Sequence, residues 1–176
     1  MTTKQITADM VKQLREKTDA GIMDCRRALA DADGDMAKAE ALLRERGIAS
    51  AGKKSERETK QGLVESYIHG GRIGALVEVN CETDFVARTD QFKDLARAIA
   101  MQIAAMNPRF LSKDDVPADV RQQEQLTDKQ IESQSLLSQS YIRDESKTIE
   151  QLLKETIATT GENIRIGRFA RFELGR

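Results

Sequence analysis

Between Leu63 and Met106 the hydrophobic period of the chain switches once, from two to three and four. Ile73, Ala75, Val77 and Val79 recur at every second position, which puts them on one face of a β-strand. Leu63 to Ile68 reads as a strand before it, and the Gly70-Gly71 pair between the two is a hairpin signal. Phe92, Leu95 or Ala96, Ile99, Ile103 and Met106 then follow helical spacing, and Asn107-Pro108 ends that helix because proline cannot continue it. A short connection carries Thr83, Asp84 and Phe85 from strand to helix. An aromatic beside an acid in such a place has two readings: it tucks under its own helix, as most aromatics do, or it is presented outward. The residues alone do not choose.

Upstream, the pattern is helical throughout. Thr7 is a good N-cap, with Ile6 and Val11 placed for a hydrophobic staple and Leu14 continuing the stripe. Thr18-Asp19-Ala20-Gly21 ends that helix, and Ile22 and Met23 open a second whose inner face carries Ala28 and Leu29. Asp33-Gly34 turns the chain, Asp35 caps a third helix bearing Met36, Ala39, Leu42 and Leu43, and Gly47 is placed to end it. From Ser50 to Gln61 the chain is charged and lacks an apolar stripe, as a solvated connector would be, whether helical or irregular. The expected division is a three-helix unit at 1–52, a connector at 53–61 and a second unit at 62–176.

After Pro108 the signals weaken. Val116-Pro117 can start a short helix, Thr127 with Gln130 forms a capping-box pattern, and Thr148 with Gln151 forms another over Leu152, Leu153 and Ile157. Gly161 stops that last helix. Ile164, Ile166, Ala170, Phe172 and Leu174 then alternate as a closing strand, with Arg168 and Phe169 out of phase and Gly167 marking a bulge that re-aims them. The expected class is α+β: a three-helix bundle, then an antiparallel sheet of Leu63–His69, Ile73–Asn80 and Ile164–Leu174 flanked by helices. A three-stranded sheet leaves edges that need covering, which points to a homodimer.

Composition narrows the chemistry. The 28 Lys and Arg against 29 Asp and Glu leave no global basic field to hold nucleic acid, so no direct nucleic-acid partner is expected. No apolar run approaches a membrane span and no secretory signal opens the chain, so a soluble, intracellular protein with reduced Cys25 and Cys81 is expected. Gly47-x-x-x-x-Gly52-Lys53 has phosphate-loop spacing, but Lys54 stands where Ser or Thr would bind Mg²⁺. Asp31, Asp33 and Asp35 approach calcium-loop spacing, but Gly34 is misplaced and Leu42 holds the place of the bidentate Glu, so a helix-turn-helix connection is expected. His69 is the one histidine, which excludes multi-histidine metal sites. No nucleophile has a His-acid pair nearby in sequence, so neither a metal, a cofactor nor catalysis of bond chemistry is expected.

The run Glu78 to Arg88, E-V-N-C-E-T-D-F-V-A-R, resembles the T-D-F-V signature of the elongation factor Ts family. Leu14, Arg15, Thr18, Ala20, Gly21, Met23, Asp24, Cys25, Ala28 and Leu29 resemble its N-terminal signature, with Asp19 in place of glycine and Arg26-Arg27 in place of lysines. The resemblance implies a ubiquitin-associated-like bundle at the N-terminus and an exchange factor for elongation factor Tu, in the cytoplasm of a bacterium or an organelle stroma. It implies that Asp84 and Phe85, flanked by Thr83 and Val86, press on the nucleotide domain of elongation factor Tu, with Arg15, Ile22 and Met23 bracing another helix there. His69, with Tyr67, is implied to reach a different domain, although a hairpin role explains both equally. Short members of the family are implied to work as homodimers. This chain is expected to lack a longer helical insertion between Glu124 and Leu136. A plain interaction module, or an RNA contact by the basic connector, is the competing reading; neither requires the T-D-F run.

Overall fold

The computed structural model describes residues 6–18 and 20–175. Helix α1 (Ala8–Thr18) starts where Thr7 accepts the Met10 N–H at 3.3 Å, and Ile6 and Val11 both pack against the bundle core. The turn after α1 includes Asp19, which lies outside the described residues. Helix α2 (Ile22–Asp31) and helix α3 (Met36–Lys54) are joined by the expected helix-turn-helix, with Asp33 and Gly34 at positive φ. Its aspartates have structural work: Asp35 caps α3 by accepting the Lys38 N–H at 3.0 Å, and Asp31 takes the Arg46 guanidinium at 2.6 Å. Leu14, Cys25, Ala28, Leu29, Ala32 and Ala39 form this unit's core.

Strands β1 (Gln61–His69) and β2 (Ile73–Cys81) pair antiparallel through a turn in which Gly70 and Gly71 adopt φ of 56° and 67°, angles that cost glycine little. A one-turn helix α4 (Asp84–Ala87) leads into α5 (Asp90–Met106), which ends on Asn107 in the left-handed conformation. Phe92, Leu95, Ala96, Ile99 and Ile103 are buried, whereas Met106 is 49% exposed, so the apolar stripe stops a turn sooner than its spacing suggests.

Helix α6 (Ala118–Gln123) follows Pro117, and α7 (Asp128–Gln134) carries the Thr127–Gln130 capping box. Across the 124–136 segment Arg109 reaches Glu124 with both terminal nitrogens, at 2.6 and 2.9 Å, and Gln134 at 3.1 Å. A two-stranded hairpin, β3 (Ser140–Tyr141) and β4 (Asp144–Thr148), was not legible in the sequence. It is tied to α5 by the buried Gln102, whose amide donates to Gln139 Oε1 and the Ser140 carbonyl at 3.1 Å and accepts the Ile142 N–H at 3.0 Å. Helix α8 (Ile149–Thr160) carries the Thr148–Gln151 capping box and ends on Gly161 at φ 77°.

Strand β5 (Ile164–Glu173) completes a sheet of order β1-β2-β5, antiparallel throughout. Its inner face, with α5 and α8, forms the second core. The expected bulge is present: Val79 pairs with Ile166 and Val77 with Phe169, leaving Gly167 and Arg168 opposite Glu78. It corrects the expected alternation, because the extra residue inverts the strand. Phe169 packs against the core, while Phe172 and Leu174, expected inward, are 68% and 65% exposed.

Gly47 does not end α3, which continues to Lys54. At Gly47 the helix crosses α8 so closely that a Cβ there would stand 2.7 Å from the Ala158 Cβ. The glycine admits the neighbouring helix, and packing outweighs its penalty of about 1 kcal/mol in a helix. The connector therefore begins at Ser55; its side chains are exposed apart from the half-buried Thr59, as expected, but its backbone is held, since Asn163 donates to the Ser55 and Arg57 carbonyls and Arg165 also donates to Ser55.

Candidate partner-binding site

The T-D-F run folds as a tight corner where β2 meets α5. Thr83 is extended and caps α4 by accepting the Val86 N–H at 3.3 Å, and Thr89 caps α5 in the same way. The Cys81 thiol, fully buried, donates to the Thr83 carbonyl at 3.1 Å. Burial, then the nearby Glu162 carboxylate, pushes that thiol up from its ordinary value, which keeps it protonated and able to donate. With both ends of the corner fixed, α4 has one buried face, Val86 and Ala87, and one presented face, Asp84 and Phe85.

Phe85 is 78% exposed, whereas Phe92, one element later, is fully buried. The two readings of Phe85 are thereby separated: it is not core. Asp84 meets Arg88 at 2.9 Å with both side chains in solvent, so this bridge contributes little to stability. Val86 turns inward. It is 7% exposed and belongs to the sheet core, so its side chain anchors the corner from within.

The N-terminal candidates lie on the other unit. Ile22 and Met23, in the first turn of α2, are 56% and 65% exposed, and Arg15 is exposed on α1. His69 closes β1 with its ring stacked on Tyr67 at 6.3 Å between centroids; the Tyr67 hydroxyl lies 3.4 Å from its Nδ1. Tyr67 is half-buried against the sheet core and His69 is exposed, so the hairpin both packs and presents.

Two features escaped the sequence. Val64, Ile68, Leu76 and Phe172 are exposed on the outer sheet face, where Ile68, Gly74 and Phe172 stand in register across three strands. The alternation in β1 would have given Val64 and Ile68; Phe172 was hidden by the bulge. Glu162, in the turn before β5, accepts hydrogen bonds from Glu82 and Thr83, and no local pattern signals it.

The model of the family described as Elongation factor TS matches residues 4–134, which include both the α2 surface and the T-D-F corner. The chain belongs to the elongation factor Ts family. It is 51% identical to Elongation factor Ts of Thermoanaerobacter sp. (strain X514), over 97% of this chain and 95% of the relative. It is 46% identical to that of Finegoldia magna, covering 97% and 90%, and 47% identical to that of Thermotoga maritima, covering 97% of each. The Thermoanaerobacter alignment runs over 194 positions against the 176 residues of the chain, so that relative carries residues without a counterpart here. Among the described residues, no helix is long and apolar enough to cross a membrane.

Proposed function

We propose that this protein is a guanine-nucleotide exchange factor that binds elongation factor Tu carrying GDP and promotes GDP release, so that GTP can bind. Family membership supports the partner. The observation that carries the mechanism is Phe85, held 78% exposed beside Asp84 on a doubly capped corner. A large aromatic left in water has no reason to be there for folding, and exposed aromatics dominate binding energy when a partner covers them. In this reading Phe85 inserts between helices beside the Mg²⁺ and phosphate site of elongation factor Tu, with Asp84 and the Thr83 turn behind it. Arg15, Ile22 and Met23 brace a second helix of that domain, and His69 reaches another domain.

Exchange then needs no covalent step. A protein that prefers the nucleotide-free partner must weaken nucleotide binding by the same coupling free energy, because linkage is reciprocal. The protein acts as a homodimer, joined through the outer sheet face of Val64, Ile68, Leu76 and Phe172; monomeric proteins rarely leave such an apolar surface in water. Bacterial relatives support a cytoplasmic site of action.

The test is release of labelled GDP from elongation factor Tu. Wild-type protein should accelerate it. Phe85→Ala should lose roughly ten- to a hundredfold of that acceleration, since an interface aromatic is worth about 2 kcal/mol or more. No acceleration by the wild-type protein at any concentration rejects the proposal.

A further inference from the structure

We infer that Glu162 is a positioning residue for exchange, clamping from the α8–β5 turn the corner that presents Phe85. The inference rests on the wedge reading of Phe85. Helix α4 is a single turn, too short to hold itself together, and the exposed Phe85 ring gains no hold from packing. Where the ring stands is therefore decided by the backbone of residues 82–86.

Glu162 takes hold of that backbone with both carboxylate oxygens. Its Oε2 accepts the N–H groups of Glu82 and Thr83 at 3.2 and 3.0 Å, and its Oε1 accepts the Thr83 hydroxyl at 2.6 Å. That hydroxyl oxygen is the one that caps α4 by accepting the Val86 N–H. The carboxylate thus strengthens the cap as well as fixing the strand that precedes it, since bonds to an ionised acceptor are short and strong. Among the described residues, every hydrogen bond to the Glu162 carboxylate comes from this corner.

The clamp is reciprocal. Glu82 Oε1 accepts the Asn163 N–H at 2.6 Å and lies 3.4 Å from the Arg57 guanidinium. Asn163, 2% exposed, donates its amide to the carbonyls of Ser55 and Arg57 at 3.3 and 2.7 Å. The corner, the α8–β5 turn and the connector are thereby locked to one another. A wedge displaces its partner only if it is backed; a loose one swings away within the formed complex and presses on the nucleotide site for only part of the bound time, which lowers the plateau more than the affinity.

The experiment measures labelled GDP release from elongation factor Tu against protein concentration, giving a plateau rate and a half-saturating concentration, with melting followed in parallel. Glu162→Ala should lower the plateau roughly tenfold while leaving half-saturation within about twofold. Glu162→Gln, which keeps one acceptor, should fall between it and wild type. Adding Glu162→Ala to Phe85→Ala should cost nothing more, because the effect runs through the ring. A wild-type plateau in Glu162→Ala overturns the inference, as does a further loss on the Phe85→Ala background. A raised half-saturation with the plateau intact, the mark of a smaller folded fraction, overturns it too. Should Glu162→Ala melt below the assay temperature, Glu162→Gln carries the same comparisons. Phe85→Ala at wild-type plateau removes the wedge reading itself, independently of any Glu162 variant.

Discussion

Gly47 of α3 and Ala158 of α8 meet so closely that no side chain fits between them; a Cβ on Gly47 would lie 2.7 Å from that of Ala158. Arg44 pairs with Glu155 at 2.6 Å along the same seam, and the Lys54 ammonium lies 3.5 Å from the Ile157 carbonyl. This seam sets how the helical unit that carries Ile22 and Met23 sits against the unit that carries Phe85.

Gly47→Leu should therefore wedge the two units apart. Overpacking of this kind typically costs about 1–3 kcal/mol. The expected result is faster proteolysis within residues 55–60 and a higher half-saturating concentration in GDP release, with each unit still folded. Unchanged proteolysis and unchanged half-saturation would mean that the seam does not orient the bundle.

Phe85 and Phe92 provide a matched pair for separating binding from stability. Phe85→Ala removes an exposed ring and should shift stability by no more than about 0.5 kcal/mol. Phe92→Ala empties the centre of the sheet core and should cost about 3–5 kcal/mol, a large share of the stability of a domain this size. Thermal melts of the two variants decide the matter; a collapsed melting temperature for Phe85→Ala contradicts its exposure.

Phe172→Asp tests the outer sheet face. Phe172 is 68% exposed, so a carboxylate there is tolerated by a monomer but is buried unpaired in a dimer joined through this face. Sedimentation should give a dimer for wild type and a species near the chain mass of 19.7 kDa for the variant. A wild-type protein that sediments as a monomer at micromolar concentration removes the homodimer proposal.

Acid should unfold the protein late. Hydrogen bonds from Asn80 and Arg168 hold Glu78 below the usual carboxylate range, Arg109 does the same for Glu124, and Lys113 for Glu132. Each carboxylate is depressed in the folded state. The stability it adds is present above its unfolded value and is lost as pH falls through the lower folded one. Melting temperature should thus be nearly flat from pH 7 to about 5 and decline below about pH 4. All three carboxylates are near the surface, so the decline should be shallow and smaller in high salt. A steep loss between pH 7 and 5 would point to a different titrating group.

Much of this architecture was written locally. Thr7, Asp35, the Thr127–Gln130 and Thr148–Gln151 pairs and Gly161 all mark helix ends where expected, because a cap is decided by residues within four positions. The hairpin at Gly70-Gly71 was legible for the same reason, and the strand character of β5 from its alternation, although its pairing with β2 joins residues far apart in the chain. Of the site, the run Thr83-Asp84-Phe85 stood out by its chemistry, while the inward turn of Val86 and the outward turn of Phe85 did not.

The sequence by itself determined most of the elements, their order and the corner on which Phe85 sits, since capping, turn chemistry and hydrophobic period act over a few residues; the β3–β4 hairpin and the full length of α3 lay outside that reach. Only the tertiary structure decided which glycine ends a helix and which admits one: Gly47 and Gly161 carry the same local signal, but α8 packs against Gly47, whereas nothing comes within 4 Å of where a Cβ on Gly161 would stand. It decided which face of β5 is inside, because the bulge opposite Glu78 inverts every later side chain. It also brought Glu162 to Thr83. Such contacts join residues far apart in the chain, and their energy exists only once the core between them has packed.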